Sequence, residues 1–223
     1  MHELRIPIFP LPEVVFFPDT VLPLHVFEPR YRQMIATCLA EDRWLGVVML
    51  RAGWEKDYQG RPPVHDVAGA GEIIQAEMLA DGRYNILLDG RTRVRILAEE
   101  SGDGRLYRVA QVRRLEDRGP SPSDRTFAGR LQELRTAHAR LLLALGQSHP
   151  DVVGRLTVAG ASPGAVIDRI VSAVVPDAAV RQRLLEAIDV SERLDLAVGA
   201  LGELLAVVGG REGEEDEEEA DDA

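Results

Sequence analysis

Residues Gly71–Leu97 read GEIIQAEMLADGRYNILLDGRTRVRIL, and this stretch decides the fold. The pair Asp81-Gly82 is a strong signal for the turn of a β-hairpin, and the arm that follows alternates apolar and polar residues. Gly90, in the middle of that arm, indicates the bend or bulge that a small closed sheet requires. One face of the strand is predicted to carry Tyr84, Ile86, Leu88, Thr92, Val94 and Ile96, and the other Arg83, Asn85, Asp89, Arg91, Arg93 and Arg95.

Strand signals continue on both sides of this hairpin. Downstream, a second hairpin turn over 101–104 leads into a strand that ends at Leu115, and upstream the apolar run Trp44–Leu50 predicts a buried strand. A helix is expected from Pro29 to about Asp42. Before it, the five prolines between residues 7 and 23 remove backbone donors, so this segment is predicted to be edge strand and extended loop. Residues 1–116 should therefore form a curled, mostly antiparallel sheet resembling a small barrel.

Beyond residue 116 the hydrophobic period becomes that of helices. Residues 117–123 are rich in glycine, proline and serine and predict a linker, whereas 124–208 predict short helices that pack together as a bundle. His138 lies on the apolar face of the first of these helices, which favours a core or boundary histidine over a ligand. The chain is therefore expected to belong to the α+β class.

Most of the negative charge is concentrated at the C-terminal end. The formal net charge is −11, and residues 211–223 account for −8 of it, with nine acidic residues and one arginine. We expect 209–223 to be a disordered acidic tail, because like charges repel one another and bury nothing. The remaining body is only weakly acidic, which argues against broad contact with a nucleic-acid backbone. The row of Arg91, Arg93 and Arg95 is interpreted first as a solvated face, second as a protein-docking face and last as a nucleic-acid site.

The sequence contains no recognisable catalytic or metal-binding motif. Lys56, the only lysine, has neither the preceding glycines nor the following hydroxyl residue of a phosphate-binding P-loop, so ATP hydrolysis is excluded. The scattered histidines and the single cysteine offer no zinc spacing, and we expect no cofactor. Cys38 has apolar neighbours and is predicted to be an inert, packed thiol. Neither a signal peptide nor a membrane-spanning run is evident, so the cytoplasm is the expected location and no membrane partner is expected.

A compound motif near the start of the chain points to a family. It consists of Phe9-Pro10-Leu11-Pro12, then Val15-Phe16-Phe17-Pro18, then Val21-Leu22-Pro23-Leu24-His25-Val26-Phe27-Glu28-Pro29-Arg30-Tyr31. In this order, and with Asp81–Gly90 following, it resembles the N-terminal substrate-binding domain of bacterial Lon-type ATP-dependent proteases. The resemblance covers nearly the whole chain before the tail. It implies a PUA-like six-stranded pseudo-barrel, a C-terminal helical bundle, and recruitment of unfolded or tagged protein clients. The ATPase and protease parts lie downstream in that family, so we expect a stand-alone member that is not an enzyme, with no catalytic residue carried over.

Most residues of the motif are expected to be structural. Glu28 and Arg30 should satisfy turn amides and the first helix end, while Phe27 and Tyr31 should plug the barrel. The family-signature residues assigned a structural role are Pro10, Pro18, Pro23, Leu24, Phe27, Glu28, Pro29, Arg30, Tyr31, Gly71, Gly82 and Gly90.

The candidate peptide-binding residues are Trp54 and Tyr58. They lie in the loop 51–66, which is long for a compact domain and carries two residue types enriched at interface hot spots. We hypothesise that they line an apolar groove between barrel and bundle that holds extended peptide, the alternative being that they cover the barrel end. The chain is thus interpreted as a protein-binding module, an adaptor or holdase for unfolded clients, with a Lon-type protease as a potential partner and oligomerisation left open. A small-molecule- or RNA-binding PUA-like module is the alternative, although the acidic body disfavours nucleic acid.

Overall fold

The computed structural model describes residues 3–58, 60–100, 104–120, 124–146 and 160–221, with 210–221 described as backbone. The chain forms two compact units. The first, the barrel unit, comprises Met1–Glu116 and Asp177–Glu186, and the second, the helical unit, comprises Asp117–Pro176 and Ala187–Ala223.

The first unit contains all of the described strands. Its elements are β1 Glu3–Leu11, β2 Val21–Val26, α1 Pro29–Ala40, β3 Trp44–Met49, a 3-10 turn at Trp54–Asp57, β4 Val67–Met78, β5 Tyr84–Glu99 and β6 Arg108–Leu115. The helices further along the chain are α2 Arg125–Ala144, α3 Pro163–Val174, α4 Ala178–Glu186 and α5 Val190–Asp221. Residues 101–103 of the predicted second hairpin turn lie outside the described residues.

The six strands form one mostly antiparallel sheet that closes on itself. Their order is β2-β5-β4-β3-β1-β6, and the second half of β5 also pairs with β6, so that five strands complete a ring. Only β1 and β3 run parallel. The predicted α+β class and six-stranded, mostly antiparallel barrel are confirmed. Among the described residues β2 pairs with β5 alone, so it lies outside the ring and one of its edges has no partner strand there.

Apolar clusters pack on both faces of the sheet, and a bulge exchanges the faces along β5. Ile86 and Leu88 belong to one apolar cluster, whereas Val94 belongs to a second cluster, against which Ile96 packs. The register against β4 shifts between Thr92 and Gly90, so Arg91 is the extra residue and the side-chain parity reverses there. The expectation that these four apolar side chains share one face is therefore wrong, although the bulge beside Gly90 itself was predicted.

The reversal of side-chain parity at this bulge also takes Arg93 away from the predicted solvated face. This side chain is only 2% exposed, and its Nε donates to the carbonyl of Leu185 at 2.9 Å. Leu185 belongs to α4, whose Gln182 also donates to the carbonyl of Val67 at 3.0 Å. Helix α4 thus packs on the strands as part of the first unit, although the sequence placed it within the bundle 124–208.

Strand β1 is interior rather than an edge, and its two prolines show how this is tolerated. Residues 3–8 pair with β6, whereas residues 8–11 pair with β3. Pro7 therefore lies before the β3 pairing begins, and Pro10 lies after the β6 pairing has ended. Each proline has a partner strand on one side only, so its missing N–H need not face a second strand. Pro23, in β2, does lie on an edge strand, as predicted.

The segment between β1 and β2 crosses the sheet at two glycines. Phe16 and Phe17 are fully buried, and the backbone beyond them is held by Asp19 N–H donating to the Gly90 carbonyl at 2.9 Å. A Cβ on Gly90 would lie 2.1 Å from the Phe17 carbonyl oxygen, and one on Gly69 only 1.8 Å from that of Phe16. Glycine at these crossings permits a backbone-to-backbone approach that no other residue allows.

The second unit is organised around one buried arginine. Arg193, in α5, is fully buried and reaches Asp117 at 2.5 Å, Asp168 at 3.3 Å and the carbonyl of Ala187 at 2.8 Å. It therefore joins α5 to α3 and to the segment that precedes α2. Asp124 and Ser162 cap α2 and α3, each accepting from backbone N–H groups of the first turn.

Two segments named from the sequence, the linker and the acidic tail, fall partly within the described residues. The expected linker 117–123 is ordered over its described part, since Arg118 exchanges backbone hydrogen bonds with Ile188 and Val190 at 2.9 Å each. Residues 121–123 lie outside the described residues. Helix α5 extends through Asp221 and so runs into the expected acidic tail 209–223, of which residues 222 and 223 lie outside the described residues.

Candidate functional site

The predicted binding loop is firmly attached to the barrel unit. Arg51 Nε donates to the Val64 carbonyl at 2.7 Å, which closes the loop on itself. Arg108 donates to the Pro62 carbonyl at 2.8 Å, and Arg61 reaches Glu99 at 3.0 Å. These contacts tie the described part of the loop to itself and to strands β5 and β6.

Tyr58 is committed to a polar corner at the start of α1. Its hydroxyl donates to Glu28 at 2.6 Å, and Arg30 donates to the other Glu28 oxygen at 3.0 Å and to the Tyr58 carbonyl at 3.2 Å. The Arg30 guanidinium lies 4.6 Å from the ring centre of Tyr31 and 5.0 Å from that of Tyr58. Burial, together with the Glu28 carboxylate, raises the pKa of Tyr58. Trp54 meets Tyr58 edge-on at 5.3 Å, and both rings are half-buried.

The corner differs from the sequence expectation in how the helix is capped. Glu28 occupies the N-cap position, but its side chain makes no capping bond. Its main-chain carbonyl accepts from Tyr31 and Arg32 instead, at 3.0 and 2.9 Å. The carboxylate is thereby left to hold the Tyr58 loop. Tyr31 lies in the core, whereas Phe27, expected to plug the barrel, is 60% exposed. The turn before α1 directs Phe27 outward, next to the ring of His25 at 6.3 Å.

A surface depression lies across three strands, and His25, which lines it, has its ring centre 6.3 Å from that of Phe27. Its volume is about 430 Å³, and it is lined by Pro23, Leu24 and His25 of β2, Asn85, Ile86 and Leu87 of β5, and Gln75 and Glu77 of β4. Alternation along β2 places Val21, Pro23 and His25 on one face, and Val21 is 55% exposed. We call β2, Phe27 and this depression the β2 surface.

A hydrogen-bonded row fixes the polar part of the β2 surface. His25 Nδ1 lies 2.7 Å from Asn85 Oδ1, and Asn85 Nδ2 donates to Glu77 at 3.3 Å. Arg83 Nη1 lies 3.2 Å from His25 Nε2. Since a guanidinium can only donate, Nε2 is the accepting nitrogen and the proton is on Nδ1. The row spans three strands and leaves little rotamer freedom, so the surface is preorganised.

The described parts of the chain hold no arrangement suited to catalysis by a metal or a thiol. Within them no three His, Cys, Asp or Glu side chains are grouped to bind a metal ion. Cys38 is buried, and burial raises the pKa of its thiol to about 12. Among the described helices none is long and apolar enough to cross a membrane.

A family comparison agrees with this architecture. The model of the ATP-dependent protease La (LON) substrate-binding domain matches residues 5–202. The chain belongs to the LON substrate-binding domain family. Among curated relatives, the Lon protease of Xanthomonas oryzae pv. oryzae is 29% identical over 204 residues, covering 88% of this chain and 22% of that protein. Lon protease 2 of Syntrophobacter fumaroxidans is 33% identical over 126 residues, covering 56% of this chain and 15% of that protein.

Solved structures of LON domains share the fold. The N-terminal domain of a Mycobacterium avium complex Lon protease superposes with a TM-score of 0.67 at 22% identity, covering 89% of this chain and 98% of that one. A Lon N-terminal domain protein from Xanthomonas campestris gives a TM-score of 0.60 at 22% identity, covering 88% and 98%. The chain spans about a quarter or less of the curated relatives it matches, and the match is to their substrate-binding domain.

The β2 surface is the part of the site that sequence reasoning missed. Trp54 and Tyr58 do lie together, but the loop they belong to is anchored by Glu28 and Arg30, residues that the sequence treated separately. A local signal is the alternation of Val21, Pro23 and His25, which places three residues without formal charge on one face but does not show that β2 is an edge.

Proposed function

We propose that this LON-family chain is a non-catalytic module that binds apolar segments of other polypeptides at the β2 surface. The observation that carries the proposal is the exposure of Val21 and Phe27 at the two ends of an edge strand without a charged side chain. Apolar side chains beside a depression and rimmed by polar groups are typical of protein-binding sites. Unfolded chains expose such apolar segments along their length, so an adaptor or holdase role follows.

The family supports the same class of function. The family model is that of a protease substrate-binding domain, and the curated relatives are named Lon protease and Lon protease 2. We infer that this chain likewise selects polypeptides, for transfer to a Lon-type protease or for temporary holding. Trp54 is proposed as a second apolar contact, because Tyr58 supports its ring while its own edge remains half-exposed.

The arginine row gives no support to the RNA-binding alternative. Arg93 is buried against α4, and Arg91 lies 2.9 Å from Asp89 and 3.6 Å from Glu72. A phosphate backbone would have to displace these carboxylates before it could contact Arg91, which leaves the exposed Arg95 as the remaining member of the row. Protein binding is therefore the function that the geometry favours.

The experiment that tests the proposal uses a permanently unfolded client. A carboxymethylated, fluorescently labelled protein would be titrated with this chain and with the double variant V21S/F27S, and anisotropy recorded. Removing the two apolar contacts is expected to weaken binding by about tenfold or more. Leu106→Ser is the matched control, since Leu106 is 61% exposed in the same unit but lies outside the β2 surface. Equal binding by V21S/F27S and wild type, with unchanged thermal melts, would refute the proposal.

A further inference from the structure

The β2 edge carries main-chain groups that have no partner strand within the described residues. β2 pairs with β5 and with no other strand there. All other strands close into the ring through β5 and β6, so β2 offers the free edge of the sheet. An unpaired edge is a template for a further strand.

The direction of each main-chain group on β2 follows from one hydrogen bond. Gly90 N–H donates to the Thr20 carbonyl at 2.8 Å, one step before the pair of Val21 with Asp89. In an antiparallel ladder, successive residues turn their N–H and C=O groups alternately toward and away from the partner. Leu22 and the following even-numbered residues therefore face β5, while Val21, Pro23 and His25 face the free edge. Proline at position 23 is consistent with this direction, since a residue that faces the free edge donates no hydrogen bond to β5.

This edge lacks the charges that protect exposed edges in other proteins. Soluble proteins blunt such edges with lysine or other charged side chains, with proline, or by keeping the strand short. β2 reads VLPLHV and carries no formal charge, and apolar side chains flank it at Val21 and Phe27. Pro23 alone interrupts the edge: it leaves three outward carbonyls but only two outward N–H groups, at Val21 and His25.

We propose that the client binds by adding a strand to β2, as an extended segment read mainly through its main chain. The inference rests on the proposed function and gives it a substrate class: unfolded segments with apolar residues at alternate positions. Client N–H groups donate to the carbonyls of Val21, Pro23 and His25, and client carbonyls accept from Val21 and His25. Alternate client side chains then lie beside the exposed row of β2. Recognition of this kind tolerates many sequences, as a module for unfolded clients requires.

The test uses the full chain and a labelled peptide, Lys-Thr-Val-Thr-Val-Thr-Val-Lys, in two N-methylated forms. One form is methylated on its three valines and the other on its three threonines, so only one set of methyl groups faces β2. We expect one form to lose affinity by about a hundredfold and the other to bind within about threefold of the parent peptide. Equal loss in both forms, or no loss in either, would overturn the added-strand geometry.

A matched pair of protein variants tests the same bond from the other side. Val21→Pro and Val21→Ala both lose the valine side chain, but only Val21→Pro loses the outward N–H. We expect Val21→Pro to bind the parent peptide about tenfold more weakly than Val21→Ala does. The melting temperatures of the two variants should agree.

Failure of the strand geometry can be told apart from failure of the function. If V21S/F27S weakens client binding while V21P and V21A bind the peptide equally, side chains alone dock the client and the added strand is refuted. If neither the unfolded client nor the peptide binds, both proposals fall. If sedimentation shows dimers that V21P dissociates, a second copy of this chain occupies the edge and the client proposal is overturned.

Discussion

Replacing Gly90 by alanine should damage the barrel at the point where the chain crosses the sheet. The new Cβ would lie 2.1 Å from the Phe17 carbonyl oxygen, 3.1 Å from its carbon and 3.2 Å from the Pro18 Cα. Ordinary van der Waals contact begins at about 3.4 Å, so the two backbones must separate by more than 1 Å. Neither backbone moves easily, because Phe17 is fully buried and Gly90 hydrogen-bonds to Asp19 and Thr20.

The magnitude follows from what that separation breaks. Overpacking a rigid site costs about 1–3 kcal/mol, and weakening the two backbone hydrogen bonds adds about 1 kcal/mol each. We therefore expect Gly90→Ala to lower the free energy of unfolding of the barrel unit by about 3–5 kcal/mol. Because the displaced segment leads directly into β2, peptide binding at the β2 surface should also weaken.

Urea unfolding provides the assay, with a separate signal for each unit. Both tryptophans, Trp44 and Trp54, lie in the barrel unit, so their fluorescence reports its unfolding. Gly129→Ala is the control of opposite sign: it lies in α2 with nothing within 4 Å of an added Cβ. It should stabilise the helical unit by about 0.5–1 kcal/mol, seen by circular dichroism. A Gly90→Ala protein whose fluorescence transition matches wild type would refute the crossing as described.

Three further outcomes are expected. Arg193→Met should lower the free energy of unfolding of the helical unit by about 3 kcal/mol, because it removes the cation that Asp168 and Asp117 share. A loss below about 1 kcal/mol in urea unfolding would contradict this role. Burial lowers the pKa of His138, so the helical unit should lose stability as the pH falls below about 6.5. The melting temperature of His138→Leu should therefore change less with acid pH than that of wild type. Cys38, whose pKa burial raises to about 12, should react with a thiol reagent at pH 8 only as fast as the barrel unfolds; rapid reaction of the native protein would show an open site.

Much of the barrel could be predicted because its signals are local. Asp81-Gly82 forms the turn between β4 and β5, Pro29 is the first residue of α1, and the register shift falls beside Gly90. The face of α1 that carries Tyr31, Met34, Ile35 and Cys38 is buried, as its spacing indicates. The signals for turns and helices depend on residues within a few positions of one another, so they can be recognised in a single sequence.

The remaining features depend on contacts between residues far apart in the chain. Arg93 alternates like an exposed residue, but α4 packs on its face from a position 92 residues away. Phe27 is as apolar as a core residue, and only the path of the chain from β2 into α1 turns it outward. Glu28 meets Tyr58 across 30 residues, which no local pattern could indicate. The binding surface was missed for this reason, because it consists of an edge, and an edge is defined by the strand order of the whole sheet.

Hydrogen exchange with and without an unfolded client tests the central claim most directly. Deuterium uptake would be followed by mass spectrometry over the whole chain, before and after saturation with the carboxymethylated protein. Binding at the β2 surface predicts slowed exchange in segments that contain Val21 and His25, with the helical unit unchanged. Slowed exchange confined to α2 and α3, or to the loop 51–66, with no change over β2, would contradict the account.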